Sequence, residues 1–154
     1  MGTEIERKFI INKNKLIDLP NGILYRQGYL STSKERTVRI RVFSKKAYIT
    51  IKGLSQGASR LEYEYEIPFK DGNEMLDKLC KKPVIEKIRH KYLYEDFIWE
   101  IDVFLGENKG LILAEIELEK EDAFFKKPSW IGNEVTGDPK YYNSSLIKNP
   151  YKNW

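Results

Sequence analysis

An alternation of charged with apolar residues is the feature that most restricts how this chain can fold. In residues 60–68, Arg and Glu at the even positions interleave with Leu, Tyr and Ile at the odd positions. Successive side chains of an extended strand point to opposite faces of a sheet, whereas a helix would spread such a pattern around its axis. The segment is therefore predicted to be a β-strand with one charged face and one apolar face.

The same period of two recurs along the chain and predicts eight strands, in residues 3–11, 22–30, 37–43, 47–53, 60–68, 84–92, 94–104 and 111–119. Short polar turns join several of these segments, so the sheet is expected to be largely antiparallel. Closing such a sheet into a barrel removes the exposed edges that an open sheet must protect. We therefore expect a mainly β protein of the α+β class, built as an eight-stranded antiparallel β-barrel.

The sequence also predicts helical segments, which would pack outside the barrel. Asp71 can act as an N-cap, and Glu74 three residues later would complete a capping box for a helix that Pro83 ends. Further helical structure is expected after a second N-cap candidate, Asp138, in residues 141–147, and as a single turn within residues 12–19. Aromatic side chains that alternate with the charges are expected to form an apolar layer beneath the helices: Tyr63, Tyr65, Trp99 and Phe104.

Composition places the chain among single-domain proteins of a reducing compartment. A length of 154 residues suits one domain, 1–154, without an internal repeat. The net charge of +4 arises from 27 basic and 23 acidic residues spread along the chain, without the basic block typical of nucleic-acid binding. One cysteine excludes an intrachain disulfide, and no apolar window is long enough to span a membrane. We expect a cytoplasmic protein without a nucleic-acid or membrane partner, for which a homodimer stays open.

The charged strand faces are predicted to point into the barrel rather than towards solvent. Several strands carry two charges of the same sign at alternate positions: Arg39 and Arg41, Glu62 and Glu64, Lys87 and Arg89, Glu115 and Glu117. Like charges this close cost stability unless a facing strand or a ligand of opposite charge neutralises them. An enclosed interior would allow both kinds of neutralisation.

The first strand indicates what chemistry such an interior could perform. Glu4, Glu6 and Lys8 share one strand face, on which successive side chains are spaced about 6 to 7 Å apart. Carboxylate oxygens suit a hard divalent cation, and a neighbouring ammonium can bind a phosphate that the cation bridges. A chain of several phosphates could then be bound by Lys8 together with the basic side chains of other strands: Arg39, Arg41, Lys52, Lys87 and Arg89.

Taken together, these motifs resemble the CYTH family of triphosphate tunnel metalloenzymes over essentially the whole chain. The Glu-x-Glu-x-Lys motif opens the first strand, and the charged doublets follow in the order found in the family, accompanied by Lys52 and Asp102. Residues 130–136, followed by Tyr142 and Asn143, are similar to the tail of the short bacterial members. The resemblance implies an eight-stranded barrel that forms a tunnel with a polar, charged interior, and a triphosphate reaction that requires Mg²⁺ or Mn²⁺.

The resemblance also implies a role for each residue that matches the family pattern. The metal ion would be bound by Glu4, Glu6 and a carboxylate of the last strand, with Glu117 preferred over Glu115. The substrate would be bound by Lys8, Arg39, Arg41, Lys52, Lys87 and Arg89. Five side chains are candidates for orienting the attacking water, and the sequence does not choose between them: Glu62, Glu64, Asp102, Lys87 and Tyr29.

The implied reaction is the hydrolysis of a triphosphate to release orthophosphate. Inorganic tripolyphosphate is the expected substrate, because the short bacterial form adds no evident domain for recognising a base or an organic group. Hydrolysis of nucleoside or thiamine triphosphates and an adenylyl cyclase reaction are alternatives for the same tunnel. A polyphosphate-binding module without turnover is a further alternative, which the full set of acidic residues disfavours.

Overall fold

A computed structural model describes residues 2–16 and 18–154, which contain nine β-strands and one α-helix. The strands are β1 (Thr3–Ile11), β2 (Gly22–Ser33), β3 (Arg36–Phe43), β4 (Lys46–Lys52), β5 (Ser59–Ile67), β6 (Ile85–Tyr94), β7 (Phe97–Phe104), β8 (Ile112–Glu117) and β9 (Ile131–Glu134). The helix is α1 (Phe69–Lys78). Short 3₁₀ turns occupy Lys13–Lys15, Gly106–Asn108, Pro139–Tyr141, Ser145–Ile147 and Tyr151–Asn153.

Eight of the strands form a closed antiparallel barrel, as the alternating sequence predicts. Neighbouring strands follow the order β5, β4, β3, β2, β6, β7, β8 and β1, and all of these pairs are antiparallel. Pairing of β1 with β5, in which Thr3 lies opposite Leu61 and Ile5 opposite Ser59, closes the ring. The interior is therefore enclosed by hydrogen-bonded backbone on every side.

The ninth strand, β9, is an addition that the sequence did not predict. Phe9 of β1 pairs with Ala114 of β8 on one edge and with Glu134 of β9 on the other. The same edge of β1 pairs with β5 at residues 3–5 and with β9 at residues 9–11. Strand β9 therefore takes over this edge after β5 has separated from it. Its four residues are too few to show a period of two in the sequence.

The apolar strand faces point outwards and are covered on two sides. Trp99 and Ile116 lie on the outer faces of β7 and β8, where they pack beneath Phe125 and Trp130 of the connection to β9. On the opposite side, α1 places Leu76 against the outer faces of β3 and β4. These two layers fix the inward direction of the alternate, charged positions, because a shift of one residue would bury charges in the apolar layers.

One end of the barrel is filled by an apolar plug, made of Ile85, Phe104, Leu111, Leu113 and Leu146. Phe104 was predicted to lie in the outer layer, and that prediction was wrong, because Phe104 lies two residues after Asp102 and so shares its inward face. Tyr63 and Tyr65 do point outwards, but they are 47% and 59% exposed rather than covered by a helix. Leu146 reaches the plug from the C-terminal segment, residues 135–154.

The helix predictions were right about position and wrong in detail. Helix α1 begins at Phe69 after Pro68, and no side chain caps its N-terminus, so the capping box proposed for Asp71 does not form. Asp138 does accept a hydrogen bond from the Lys140 amide as an N-cap, but it starts a 3₁₀ turn instead of a longer helix. The turn expected within residues 12–19 appears at Lys13–Lys15, while Ile17 lies outside the described residues.

No helix within residues 2–16 and 18–154 combines the length and the apolar character needed to cross a membrane.

Close packing of α1 on β4 gives a first testable prediction. A Cβ atom on Gly72 would lie 2.4 Å from the Cβ of Ala47. We expect Gly72→Ala to lower the free energy of unfolding by about 1 to 2 kcal/mol, because overpacking outweighs a helix-propensity gain of about 1 kcal/mol. The measurement is urea unfolding followed by circular dichroism.

Ala47→Gly provides the matched background for this experiment, because it removes the atom that the new methyl group would strike. In that background Gly72→Ala should stabilise the protein, since the remaining close contact, with Val42 Cγ2 at 3.3 Å, needs a shift of only a few tenths of an ångström and the helix-propensity gain is kept. Destabilisation of equal size in both backgrounds would contradict close packing as the cause.

Candidate active site

The barrel encloses one large charged cavity of about 280 Å³, bounded at its far end by the apolar plug. All of the predicted site residues line this cavity except Asp102: Glu4, Glu6, Lys8, Tyr29, Arg39, Arg41, Lys52, Glu62, Glu64, Lys87, Arg89, Glu115 and Glu117. Each occupies an alternate position of its strand, so the period of two brings together side chains that are far apart in sequence. The prediction that both signs of charge point inwards is thus consistent with the geometry of the barrel wall.

Carboxylates dominate the part of the wall formed by β1 and β8. Glu6 lies opposite Glu117, and Lys8 lies opposite Glu115, in the pairing of these two strands. Burial, with Glu115 and Glu4 close by, raises the pKa of Glu6 well above its ordinary value. Burial would also raise the pKa of Glu115, but the charge of Lys8 and a hydrogen bond with Glu6 hold that pKa well below its usual range. Glu6 and Glu115 therefore form a crowded pair that favours a shared proton or a bound cation.

Lys52 interacts with two other acidic side chains of the cavity. Its ammonium nitrogen lies 3.1 Å from Glu4 Oε1 and 3.4 Å from Glu62 Oε2. Burial raises the pKa of Glu62, and the neighbouring Glu4 charge acts in the same direction. Glu64 accepts hydrogen bonds from Thr50 Oγ1 at 2.7 Å and from Arg39 Nη2 at 3.4 Å.

Two arginines of β3 have unused capacity to bind an anion. Arg39 is only 7% exposed, and its Nε has no hydrogen-bond partner among the described residues. Burial, together with repulsion from Arg39 and Arg89, lowers the pKa of Arg41 to about 10. Arg41 Nε donates a hydrogen bond to Gln27 Oε1, which carries no charge. Both arginines would gain from a negatively charged ligand in the cavity.

Asp102 lies on the inward face of β7 but does not line the cavity, and it holds two of the basic side chains that do. Arg89 donates to both carboxylate oxygens at 2.8 and 2.9 Å, and the Lys87 ammonium nitrogen lies 2.7 Å from Oδ2. Burial opposes ionisation of Asp102, yet the charges of Arg89 and Lys87 lower its pKa below the ordinary value. For Lys87, burial outweighs the attraction of Asp102 and lowers its pKa to about 7. A lysine that is partly neutral near pH 7 can accept a proton.

Residues 2–148 match the CYTH domain. The chain belongs to the CYTH family.

Two curated relatives of this CYTH protein bear the name inorganic triphosphatase. The relative from Acetivibrio thermocellus is 61% identical over 154 residues, which cover 100% of this chain and 99% of the relative. The relative from Nitrosomonas europaea is 38% identical over 152 residues, covering 94% and 96% of the two chains. A crystal structure of an inorganic triphosphatase superimposes with a TM-score of 0.66 at 34% identity, covering 96% of this chain and 95% of the other.

Two polar side chains in or next to the CYTH cavity were not singled out for a role by the sequence. Tyr25 lines the cavity, whereas Gln27 is fully buried and contacts residues that line it. Both lie at alternate positions of β2 with Tyr29, which was the available signal in the sequence. The Tyr25 ring lies 5.2 Å from the Arg41 guanidinium and 5.0 Å from that of Arg89, so it separates two like charges. Asn143 also lines the cavity. The sequence indicated it only through the similarity of the tail, because residues in that segment follow no periodic pattern that would predict where a side chain points.

The acidic residues of the CYTH cavity have the chemistry that a hard divalent cation requires. Glu4, Glu6, Glu115 and Glu117 all line the cavity and supply only oxygen ligands, which Mg²⁺ and Mn²⁺ prefer. Among residues 2–16 and 18–154, no group of three or more His, Cys, Asp or Glu side chains is already arranged around one point. Glu4 is held by Lys52 instead, so binding a cation here would require rotation of Glu4 away from that lysine. The four carboxylates therefore fit a hard divalent cation, provided that the Glu4 side chain rotates away from Lys52.

Crowding of carboxylates in the CYTH cavity gives a second testable prediction. A carboxyl whose pKa is raised on folding destabilises the folded state wherever the unfolded chain is ionised. For Glu6 this cost is absent below the unfolded pKa of about 4.3 and grows as pH rises towards the raised folded value. We therefore expect Glu6→Gln to raise the urea midpoint in EDTA, with a larger increase at pH 8 than at pH 5.

Glu134→Gln is the matched control, because the pKa of Glu134 is lowered by its hydrogen bond from Arg7. That variant should be no more stable than the parent protein at pH 8. An increase in stability for Glu134→Gln equal to that for Glu6→Gln would show that carboxylate crowding is not responsible.

Proposed function

We propose that this CYTH protein hydrolyses inorganic tripolyphosphate to orthophosphate and pyrophosphate with the aid of a divalent cation. The observation that carries the proposal is the enclosed wall on which basic side chains with unused binding capacity face a cluster of carboxylates. Two relatives at 61% and 38% identity carry the name inorganic triphosphatase, which supports the same conclusion.

The basic side chains suit a short chain of phosphates. Arg39 and Arg41 have donors available on one side of the cavity, and Arg89 and Lys87 lie on another wall, positioned by Asp102. Arginine binds two phosphate oxygens at once through its planar fork, while lysine acts as a point charge. Phosphoryl transfer needs little beyond positioning and charge stabilisation, so this arrangement could supply most of the rate enhancement.

The lining of the cavity favours an inorganic substrate over a nucleotide. Charged side chains dominate that lining, and two of its aromatic rings are already stacked on each other. The two aromatic rings stacked at its edge, Tyr25 and Phe43, are 4.3 Å apart and nearly parallel, so they cover one face of each other. A base would compete with these contacts, whereas tripolyphosphate requires none of them.

Mg²⁺ or Mn²⁺ would be held by Glu4, Glu6, Glu115 and Glu117, as the resemblance implies. When bound, the cation would neutralise phosphate charge and stabilise the charge that develops during phosphoryl transfer. The chain itself would supply the carboxylate oxygens, and Lys8, which lies opposite Glu115, would bind phosphate beside them. Release of Glu4 from Lys52 would also free that lysine to interact with the substrate.

Among the five candidates for orienting the attacking water, we propose Lys87 as the proton acceptor. Its nitrogen lies within hydrogen-bond distance of Asp102 Oδ2 and Asn143 Oδ1, so a neutral amine donating both hydrogens there has its lone pair left for water. The pKa of about 7 provides a neutral fraction at physiological pH. Glu64 and Asp102 are already occupied by hydrogen bonds from their neighbours, and Glu62 is paired with Lys52. Tyr29 would then donate a hydrogen bond to the substrate.

We also infer a cytoplasmic location, without a nucleic-acid or membrane partner. The inference rests on the single cysteine, Cys80, which is buried and free, and on basic residues that are spread along the chain without a basic block. A homodimer remains a prediction, for which the exposed apolar side chains Ile51, Leu61 and Tyr63 offer a surface.

The function is tested by incubating the protein with tripolyphosphate or ATP in Mg²⁺ or Mn²⁺ and measuring orthophosphate, pyrophosphate and cyclic AMP. We expect equal amounts of orthophosphate and pyrophosphate from tripolyphosphate, and none in EDTA. Cyclic AMP with pyrophosphate from ATP would support a cyclase instead. Tight binding of tripolyphosphate without any product would support the binding-module alternative.

Variants of the proposed metal ligands extend this test. Glu4→Gln and Glu117→Gln should abolish phosphate release and weaken Mn²⁺ binding, which electron paramagnetic resonance measures without turnover. The matched control is Glu86→Gln on β6, which points away from the cavity next to Lys87 and should change neither quantity. Full turnover and unchanged Mn²⁺ affinity in both ligand variants would refute the metal assignment.

The assignment of Lys87 gives a further prediction about pH. If the neutral amine accepts the proton from water, kcat/KM should rise with pH and level off above the Lys87 pKa of about 7. Lys87→Arg keeps a positive charge that does not titrate in this range, so it should lower the rate and remove this dependence on pH. A retained acid limb in Lys87→Arg would assign the proton transfer to another group.

A further inference from the structure

The side-chain amide of Gln27 connects three residues of the cavity. Its Oε1 accepts a hydrogen bond from Arg41 Nε at 3.1 Å, and its Nε2 donates to Tyr29 Oη and to Asn143 Oδ1, both at 3.0 Å. Gln27 is fully buried, so these contacts satisfy the amide in the absence of solvent. Both amide hydrogens and the carbonyl oxygen are therefore committed.

The direction of every hydrogen bond in this group follows from the chemistry of the partners. The Arg41 guanidinium can only donate, so it must face the Gln27 oxygen, and the Gln27 nitrogen must then face Tyr29 and Asn143. Tyr29 Oη accepts from Gln27, which leaves the hydroxyl hydrogen of Tyr29 to be donated elsewhere. Rotating the Gln27 amide by 180° would set two donors against each other at Arg41.

Asn143 extends the connection to the lysine that we propose as proton acceptor. Its Oδ1 accepts from Gln27 Nε2 and, at 2.9 Å, from Lys87 Nζ. Asp102 fixes the Lys87 nitrogen from another direction at 2.7 Å. Two acceptors thus define where the remaining position of the Lys87 nitrogen points.

We propose that Gln27 and Asn143 act as one relay of amides that positions Lys87, Tyr29 and Arg41 relative to one another for the reaction. This inference rests on the proposed function, because it assigns the two amides a role in that reaction. Neither Gln27 nor Asn143 is required to touch the reacting atoms, so both are positioning residues. The relay links strand β2 to the C-terminal segment, which are 116 residues apart in the chain at this contact.

A relay of this kind predicts different kinetic effects for different substitutions. Asn143→Ala removes the acceptor for Lys87 and should lower kcat about 10- to 100-fold, with KM changed less than about threefold, because proton transfer is sensitive to small displacements. Asn143→Asp restores an acceptor oxygen, but its charge would raise the pKa of Lys87, so it should recover part of that loss in kcat at high pH, with the acid limb of the pH profile displaced upwards. Equal kcat values for these two variants throughout the pH range would overturn the inference.

Substitution of Gln27 separates the two ends of the relay. Gln27→Glu loses both donated hydrogen bonds and gives Arg41 a charged partner that competes with phosphate, so it should lower kcat and raise KM. Gln27→Leu loses all three contacts without adding a charge, so it should lower kcat with a smaller rise in KM. A rise in KM of the same size in both variants, with kcat unchanged, would contradict the assigned directions.

Coupling between the two amides provides the most direct kinetic test. If they act as one unit, Gln27→Glu combined with Asn143→Ala should lower kcat no more than the worse single variant, within about threefold. If the two residues act independently, the two losses in kcat multiply. The independent outcome would overturn the relay while leaving the proposed function intact.

Asn108→Ala is a matched control for the general effect of truncating an asparagine inside the protein. Asn108 is buried, accepts a hydrogen bond from the Tyr151 amide at 2.8 Å, and does not line the cavity. We expect this variant to lower the thermal midpoint while kcat stays within about twofold of the parent value. A loss of kcat as large as that of Asn143→Ala would attribute the effect to stability alone.

Nuclear magnetic resonance tests the relay without any turnover. The sequence contains two glutamines, Gln27 and Gln56, so glutamine-selective ¹⁵N labelling gives two side-chain NH₂ signals. Gln56 is exposed and serves as the internal reference, while the Gln27 signal, identified by its loss in Gln27→Glu, should exchange slowly with solvent. Asn143→Ala should shift the Gln27 signal and speed its exchange.

The two kinds of measurement distinguish failure of the inference from failure of the proposed function. Absence of tripolyphosphate turnover in the parent protein would refute the proposed function, whatever the spectrum shows. Normal turnover with a Gln27 signal that exchanges as fast as that of Gln56 would refute the relay alone.

Discussion

Neutralisation of buried charge is the constraint on which this structure depends. Lys87 and Asp102 are each almost fully buried, and removing one partner from such a group typically costs about 3 to 5 kcal/mol. Asp102 compensates by pairing with both Arg89 and Lys87, so it is buried inside the barrel without lining the cavity. The balance is incomplete at Arg41 and at Glu6, where like charges adjoin. These are the positions where a ligand of opposite charge would lower the free energy most.

Such an interior is compatible with folding because the apolar contacts lie outside it. Trp99, Phe125 and Trp130 form a layer on one side of the barrel, and α1 covers another side. The usual arrangement of a small barrel, with apolar side chains filling the centre, is kept only in the plug. Stability and ligand binding are therefore assigned to opposite faces of the same strands. A substitution on an outer face should change stability with little direct effect on the charged cavity.

The sequence was sufficient to predict whatever followed from alternation. A period of two is visible in the residues themselves, and three correct predictions depend on it. These are the range of β1, the inward direction of Arg39 and the presence of eight strands that close into a barrel. Phe104 was misplaced because an aromatic residue was expected to face outwards, although its parity with Asp102 indicated the opposite. Asn143 and Gln27 could not be paired from sequence, because their contact depends on how a segment without periodicity folds back onto β2.

Part of the boundary of the cavity comes from residues beyond the last strand. Leu146 joins strand residues in the plug, and Asn143 lines the cavity, but neither is tied into the ring of paired strands. Insertions or substitutions in this C-terminal segment could make the cavity deeper or shallower without changing the pairing of the barrel strands. Divergence among proteins of this architecture could thus adjust the length of the accommodated molecule through the tail, while the strand chemistry is inherited unchanged.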